Sequence, residues 1–220
     1  GISHQIISEL VRPGMLVAGS DSHTATAGAF NTLAVGINKT ETAVLWKTGK
    51  MWFQVPETMK IVLKNRLSEG VFAKDLALWI KGILSELDVN GQAIEYHGEG
   101  VSSLSIDDRM TIANISTEMG VVSSAFPPDD RLADYFNEPA VRGVWADEEA
   151  VYSRFIEIDL ANVFPMVYDT RNNVLQGVEE LVGLKIQQGL IGACASGRLE
   201  DLRLVSMILE GKRIANGFQL

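Results

Sequence analysis

The chain has 220 residues, 46% of them hydrophobic and 21% charged, a composition that fits one or two folded domains and excludes a disordered chain. Its net charge of −9 argues against a nucleic-acid surface, which needs clustered Lys and Arg, but a local positive site could still take an anionic substrate. No apolar run reaches the roughly 18 residues of a membrane span, Gly1-Ile2-Ser3-His4 has no signal pattern, and one cysteine, Cys194, excludes an internal disulfide framework and fits a reducing, cytoplasmic setting.

In chain order, Met15 to Gly19 is a short apolar run closed by Gly, the pattern of a buried strand. The polar stretch Ser20-Asp21-Ser22-His23-Thr24 follows, and the small residues from Ala25 to Ile37 predict a closely packed helix. Thr40 to Thr48 predicts a second helix ending at Gly49. After Pro56, Met59 to Leu63 alternates as a strand, Phe72 to Leu84 is helical, and Ala93 to Tyr96 is a short strand. Asp107 and Asp108 then read as an acidic cap on a helix from Met110 to Met119, which stops at Gly120. Phe126 to Asp130 is a loop with a second acidic cap before a helix over Arg131 to Phe136, and Asn137 to Ser153 is irregular. Phe155 to Asp159 and Lys185 to Ala193 read as strands, and Arg198 to Glu210 as a helix with Leu202, Val205 and Leu209 at helical spacing. Strands alternating with helices predict an α/β fold with parallel strands, whose ligands bind in loops after the strands. The chain has no initiator Met and closes on Arg213 to Phe218 at the approach to a strand, so it is expected to be part of a longer polypeptide.

Three groups of residues can carry chemistry. His23 follows a strand in a loop that also holds Asp21 and Ser22, and a carboxylate beside a histidine raises its pKa and favours proton donation near neutral pH. The same residues would equally serve as a helix cap beside a satisfied histidine. Asn114 and Glu118 are four apart on one helix and form, with Thr111, a polar stripe, which either faces solvent or lines a polar cavity. Cys194 lies between an apolar run and a helix, where a helix N-terminus would favour thiolate, the form that binds metal or attacks carbon; as a lone thiol it would also be an ordinary core residue. The glycines of Gly98-Glu99-Gly100 and of 28–36 lack the spacing of phosphate-binding loops.

Taken together, these segments resemble the large subunit of the aconitase family, which includes aconitase, homoaconitase and 3-isopropylmalate dehydratase. The resemblance rests on ordered blocks: Gly1-Ile2-Ser3-His4-Gln5-Ile6-Ile7, Pro13-Gly14, Gly19-Ser20-Asp21-Ser22-His23-Thr24, Glu95-Tyr96-His97-Gly98, Met110 to Asn114 with Glu118, Phe126-Pro127, and Cys194 with Arg198-Leu199-Glu200-Asp201-Leu202. It implies three-layer α/β/α domains with mostly parallel sheets: residues 1–56 ending a first domain, 57–154 a second, and 155–220 beginning a third that carries the cluster cysteine. It also implies dehydration and rehydration of a hydroxy-polycarboxylate (3-isopropylmalate, homocitrate or homoaconitate, or citrate) by a 4Fe–4S cluster held by three cysteines. By resemblance His4 pairs with Asp21, His23 pairs with Glu118, Ser22 contacts substrate, Asn114 bonds near the cluster, and Cys194 is one ligand. The other cluster cysteines, the substrate arginines and the base serine would lie beyond this sequence, so the chain alone is expected to be inactive and cluster-free. The final domain would be fused or supplied as a separate small subunit, in the cytoplasm or, in a eukaryote, the mitochondrial matrix. The segment Ala193-Cys194-Ala195-Ser196 departs from the family's usual Ser-Cys-Thr-Asn. A second reading is therefore a cluster-free relative with a binding or regulatory role, and a third is Cys194 acting alone as a nucleophile, which requires His4 or His23 within reach of its sulfur. Arg198 to Asp201 and Lys74-Asp75 lean to the isopropylmalate and homoaconitate group, whereas Phe126-Pro127 leans to aconitase or homoaconitase.

Overall fold

The computed structural model describes residues 3–139 and 141–220; Gly1 and Ile2 of the opening motif, and Ala140 of the irregular stretch, lie outside the described residues. Helix α1 (Ser3–Leu10) leads into strand β1 (Leu16–Gly19), which pairs in parallel with β2 (Leu33–Gly36). Between them the chain forms a 3-10 helix over Thr24–Phe30, buried along its length. This differs from the single helix expected over 25–37. The small residues do pack closely, but Asn31 takes a left-handed conformation that ends the turn and turns the chain into β2. Helix α2 (Lys39–Thr48) starts one residue before the expected Thr40 and ends where expected, with an Asn38–Glu41 capping box at its start and Gly49 in the left-handed conformation at its end.

The main sheet is parallel, in the order β5 (Ser123–Ala125), β4 (Ala93–His97), β3 (Thr58–Lys64), β6 (Arg154–Asp159). Alternation along β3 turns Met59, Ile61 and Leu63 into a fully buried face. On that face pack Leu76, Ala77, Ile80 and Leu84 of α3 (Ala73–Ser85) and Ile112, Ala113 and Ile115 of α4 (Ile106–Ser116). The fold is thus α/β, with a parallel sheet flanked by helices. The chain position between residues 154 and 155 falls inside β6, which pairs with β3 from Met59 to Lys64.

Helix α4 begins earlier than its acidic residues suggest. Ser105 is the cap, accepting from the Asp108 amide while Asp108 returns a bond to the Ser105 amide. It ends at Ser116, and Thr117–Met119 tightens into a 3-10 turn before Gly120 at φ 86°. On its other side α4 contributes Ile106 and Met110 to a second core, with Val11, Ala27, Ala29, Phe30, Ala34 and Leu132. Gly28 lies against β5 so closely that a Cβ would stand 1.6 Å from the Ser124 carbonyl oxygen.

Helix α5 (Asp130–Phe136) is capped by Asp129 as expected, whereas the antiparallel hairpin β7 (Met166–Asp169) and β8 (Val174–Gly177) had no counterpart in the sequence reading. The strand expected over Lys185 to Ala193 is absent. That segment is irregular apart from a single bridge between Gln188 and Gln219, because no neighbouring strand offers it a ladder of partners. Helix α6 (Leu199–Leu209) closes the described elements, with no residue fully buried.

A candidate site where three segments meet α4

The loop after β1 is shaped by its own polar groups. The His23 amide donates to Asp21 Oδ1 at 2.7 Å, Thr24 Oγ1 donates to the Asp21 carbonyl at 2.6 Å, and Thr26 Oγ1 donates to the His23 carbonyl at 2.6 Å. This fixes Asp21 and His23 relative to the 3-10 helix behind them. His4 arrives from α1, 6% exposed, with Nε2 3.5 Å from Asp21 Oδ1. On the far side, His23 Nε2 is 3.9 Å from Glu118 Oε1, and its Nδ1 is 3.2 Å from Ser22 Oγ. The two histidine–carboxylate separations are ion-pair distances longer than hydrogen bonds, whereas Ser22 is within hydrogen-bond reach of His23. The residues the resemblance pairs are therefore side by side, His4 with Asp21 and His23 with Glu118. Asp21 Oδ1 is also 4.0 Å from His23 Nδ1, which places both histidines around one carboxylate.

Burial changes the electrostatics of His4. A carboxylate partner alone would hold its pKa up, but desolvation pushes it below the ordinary histidine value, with smaller downward contributions from His23 and Arg198 and only a partial offset from Asp21. Its Nδ1 is buried and finds no hydrogen-bond partner among the described residues. Burial thus biases His4 toward the neutral imidazole.

The polar stripe of α4 faces inward rather than to solvent. Asn114 is buried and bridges two segments: its Nδ2 donates to Thr26 Oγ1 at 2.8 Å, and its Oδ1 accepts from Cys194 Sγ at 3.6 Å. Thr111 Oγ1 donates to the Ala195 carbonyl at 2.7 Å. Glu118 remains half-exposed at the edge. The thiol meets Asn114 and not a histidine, which removes the geometry a lone nucleophile would need. Nor does Cys194 occupy a helix N-terminus, since α6 begins only at Leu199. The residue is exposed and lies in a turn.

Two further residues border this site that the sequence reading left without a role. Lys81 of α3 donates to Glu118 Oε2 at 3.4 Å while its ammonium lies 4.0 Å from the centre of the Tyr168 ring. Arg198 reaches under the Cys194 turn to Thr111. Both contacts cross long stretches of sequence and leave no local pattern. Among the described residues no group of three or more His, Cys, Asp or Glu side chains is placed to hold a metal. An exposed thiol beside Asn114 fits one ligand position of a cluster, and the described residues do not complete a set.

A parallel α/β unit with histidine–carboxylate pairs gathered around a loop after a strand falls in the class of open α/β folds whose ligands bind at such loops. Comparison with known proteins narrows the class. Residues 1–178 match the aconitase family (aconitate hydratase), and the chain belongs to that family. It is similar to the 3-isopropylmalate dehydratase large subunit 1 of Methanopyrus kandleri, at 38% identity over 227 aligned positions covering 100% of this chain and 54% of that protein. The 3-isopropylmalate dehydratase large subunit 1 of Thermotoga maritima is 39% identical over 96% of this chain and 52% of its own length. The probable methanogen homoaconitase large subunit of Methanosarcina mazei is 36% identical over 97% of this chain and 56% of its own length. The chain spans about half the length of the curated relatives it matches.

Proposed function

We propose that this chain is the acid–base part of a hydro-lyase that dehydrates and rehydrates a hydroxy-polycarboxylate of the 3-isopropylmalate or homoaconitate type. The observation that carries the reading is the convergence of His4, Asp21, His23 and Glu118 from three separate segments into two neighbouring pairs, 3.5 and 3.9 Å across. Elimination of water needs a proton for the departing hydroxyl and a base for the adjacent carbon. His23 has Glu118 at one ring nitrogen and Ser22 at the other, so its charged form has a counter-ion while one face stays open to solvent; it is the proton donor in this reading. His4, biased to the neutral form, holds Asp21 and with it the loop that aims His23 and Ser22 at the substrate. Cys194 would hold one corner of a 4Fe–4S cluster, which when bound supplies a Lewis-acidic iron for the substrate hydroxyl. Asn114 fixes the thiol's direction. The relatives' designation as large subunits supports a separate small subunit as partner, and the reading places the enzyme in the cytoplasm.

The test is anaerobic reconstitution of the intact enzyme with iron and sulfide, followed by hydration assays on isopropylmaleate, homoaconitate and cis-aconitate. The expected result is turnover of isopropylmaleate or homoaconitate well above cis-aconitate. A loaded enzyme that hydrates none of the three would overturn the reading.

A further inference from the structure

We propose that Arg198 is a positioning residue for the Cys194 thiol, acting by tying the carbonyl groups of its turn to α4. The turn needs such a tie. It lies outside every strand and helix, and it holds Gly192 at φ 130° and Ala193 at φ 131°, a backbone region that a residue with a Cβ rarely adopts. A conformation of this kind persists only where the surroundings over-determine it.

Arg198 supplies much of that determination. Its Nη1 donates to the Ala195 carbonyl at 2.9 Å and to Thr111 Oγ1 at 2.8 Å, and its Nη2 lies 3.5 Å from the Cys194 carbonyl. Thr111 in turn donates to the same Ala195 carbonyl, so guanidinium, hydroxyl and carbonyl close a small ring. Asp107, one turn earlier on α4, lies 3.7 Å from Arg198 Nε and balances its charge. The side chain is nearly buried, 11% exposed, and faces the turn rather than the open side of the site. From behind, Asp201 accepts from the Gly197 and Arg198 amides at 2.7 and 3.0 Å. One planar fork thus contacts two successive carbonyls and a helix hydroxyl at once. Lysine, a point charge on a flexible stem, cannot reproduce that geometry.

The inference relies on the reading above only for the use to which the thiol is put, and it is tested without cluster or substrate. Cys194 is the chain's single cysteine, so the alkylation rate of the 220-residue protein by iodoacetamide reports on it alone. Measured at alkaline pH, where the thiol is ionised in every variant, Arg198→Gln and Arg198→Lys should both be alkylated at least ~3-fold faster than the parent as the turn opens locally, and the Gly197 and residue-198 amides, which donate to Asp201, should lose hydrogen-exchange protection. Thr111→Val, which removes the hydroxyl and keeps the shape, should move the same way. Unchanged plateau rates and protection would overturn the proposal. So would a change confined to Arg198→Gln that appears only as a shifted midpoint in the pH profile, since that is an effect of charge and not of position. Melting temperatures measured alongside separate local opening from global unfolding, and Thr111→Val decides the matter if both Arg198 variants fail to fold.

Discussion

Helices α4 and α6 have the same length, eleven residues each, and opposite surroundings. Helix α4 is buried on nearly every side between the main sheet and the small-residue core around Phe30, whereas α6 has no fully buried residue and leaves Leu202, Met207 and Ile208 substantially exposed. A helix buried all round cannot leave its polar side chains unpaired, so Thr111 and Asn114 must find partners in neighbouring segments. Those partners are the 3-10 helix that follows the His23 loop and the turn that carries Cys194. The histidine–carboxylate half of the site is therefore anchored by packing. The thiol half, on a segment with little core of its own, is anchored by hydrogen bonds.

The sharpest way to break the packed half is Gly28→Ala. A Cβ there meets the Ser124 carbonyl oxygen at 1.6 Å, so the 3-10 helix must part from β5. The expected outcome is loss of cooperative unfolding or a cost above that of any single core truncation, read in denaturant melts. Next in size, Ile112→Ala on α4, at a fully buried position, should cost about 2–5 kcal/mol with an unchanged denaturant slope. A smaller effect should appear with pH. Burial holds His4 and His97 below the ordinary histidine value of 6.5. As pH falls through that value, the unfolded chain takes up protons before the folded one. Stability is then greatest above pH 6.5 and declines below it toward the folded-state values, and His4→Gln should flatten part of the slope in melts across that range. Smallest of all, Leu202→Ala on α6, at a position 48% exposed, should change stability by no more than about 0.5 kcal/mol. If it costs as much as Ile112→Ala, the contrast between the two helices is wrong.

The contrast also explains what could be read in advance. Periodicity located β3, α2, α3, β4 and α5 because each has a clean alternating or helical pattern bounded by Gly, Pro or a cap. It failed at residues 25–37, where alanines and glycines suit a helix and a tight turn equally, and at 185–193, where an apolar run has no partner strand. The nearness of His4 to Asp21 and of His23 to Glu118 followed from resemblance, since no spacing rule joins positions 23 and 118. The sign of the burial effect on His4, and the contacts of Lys81 and Arg198, depend on distances that only a folded chain has.

In the proposed reaction His23 and Glu118 work as one unit in proton transfer. Its most direct test is a double-mutant cycle of His23→Gln and Glu118→Gln in the intact, loaded enzyme, with melting temperatures showing that each variant is folded. Each single change is expected to lower kcat by a factor of order 10², and the double variant to lose little more than either one, as residues acting as a unit do. Losses that multiply in the double variant, or a Glu118→Gln enzyme with full turnover, would contradict it.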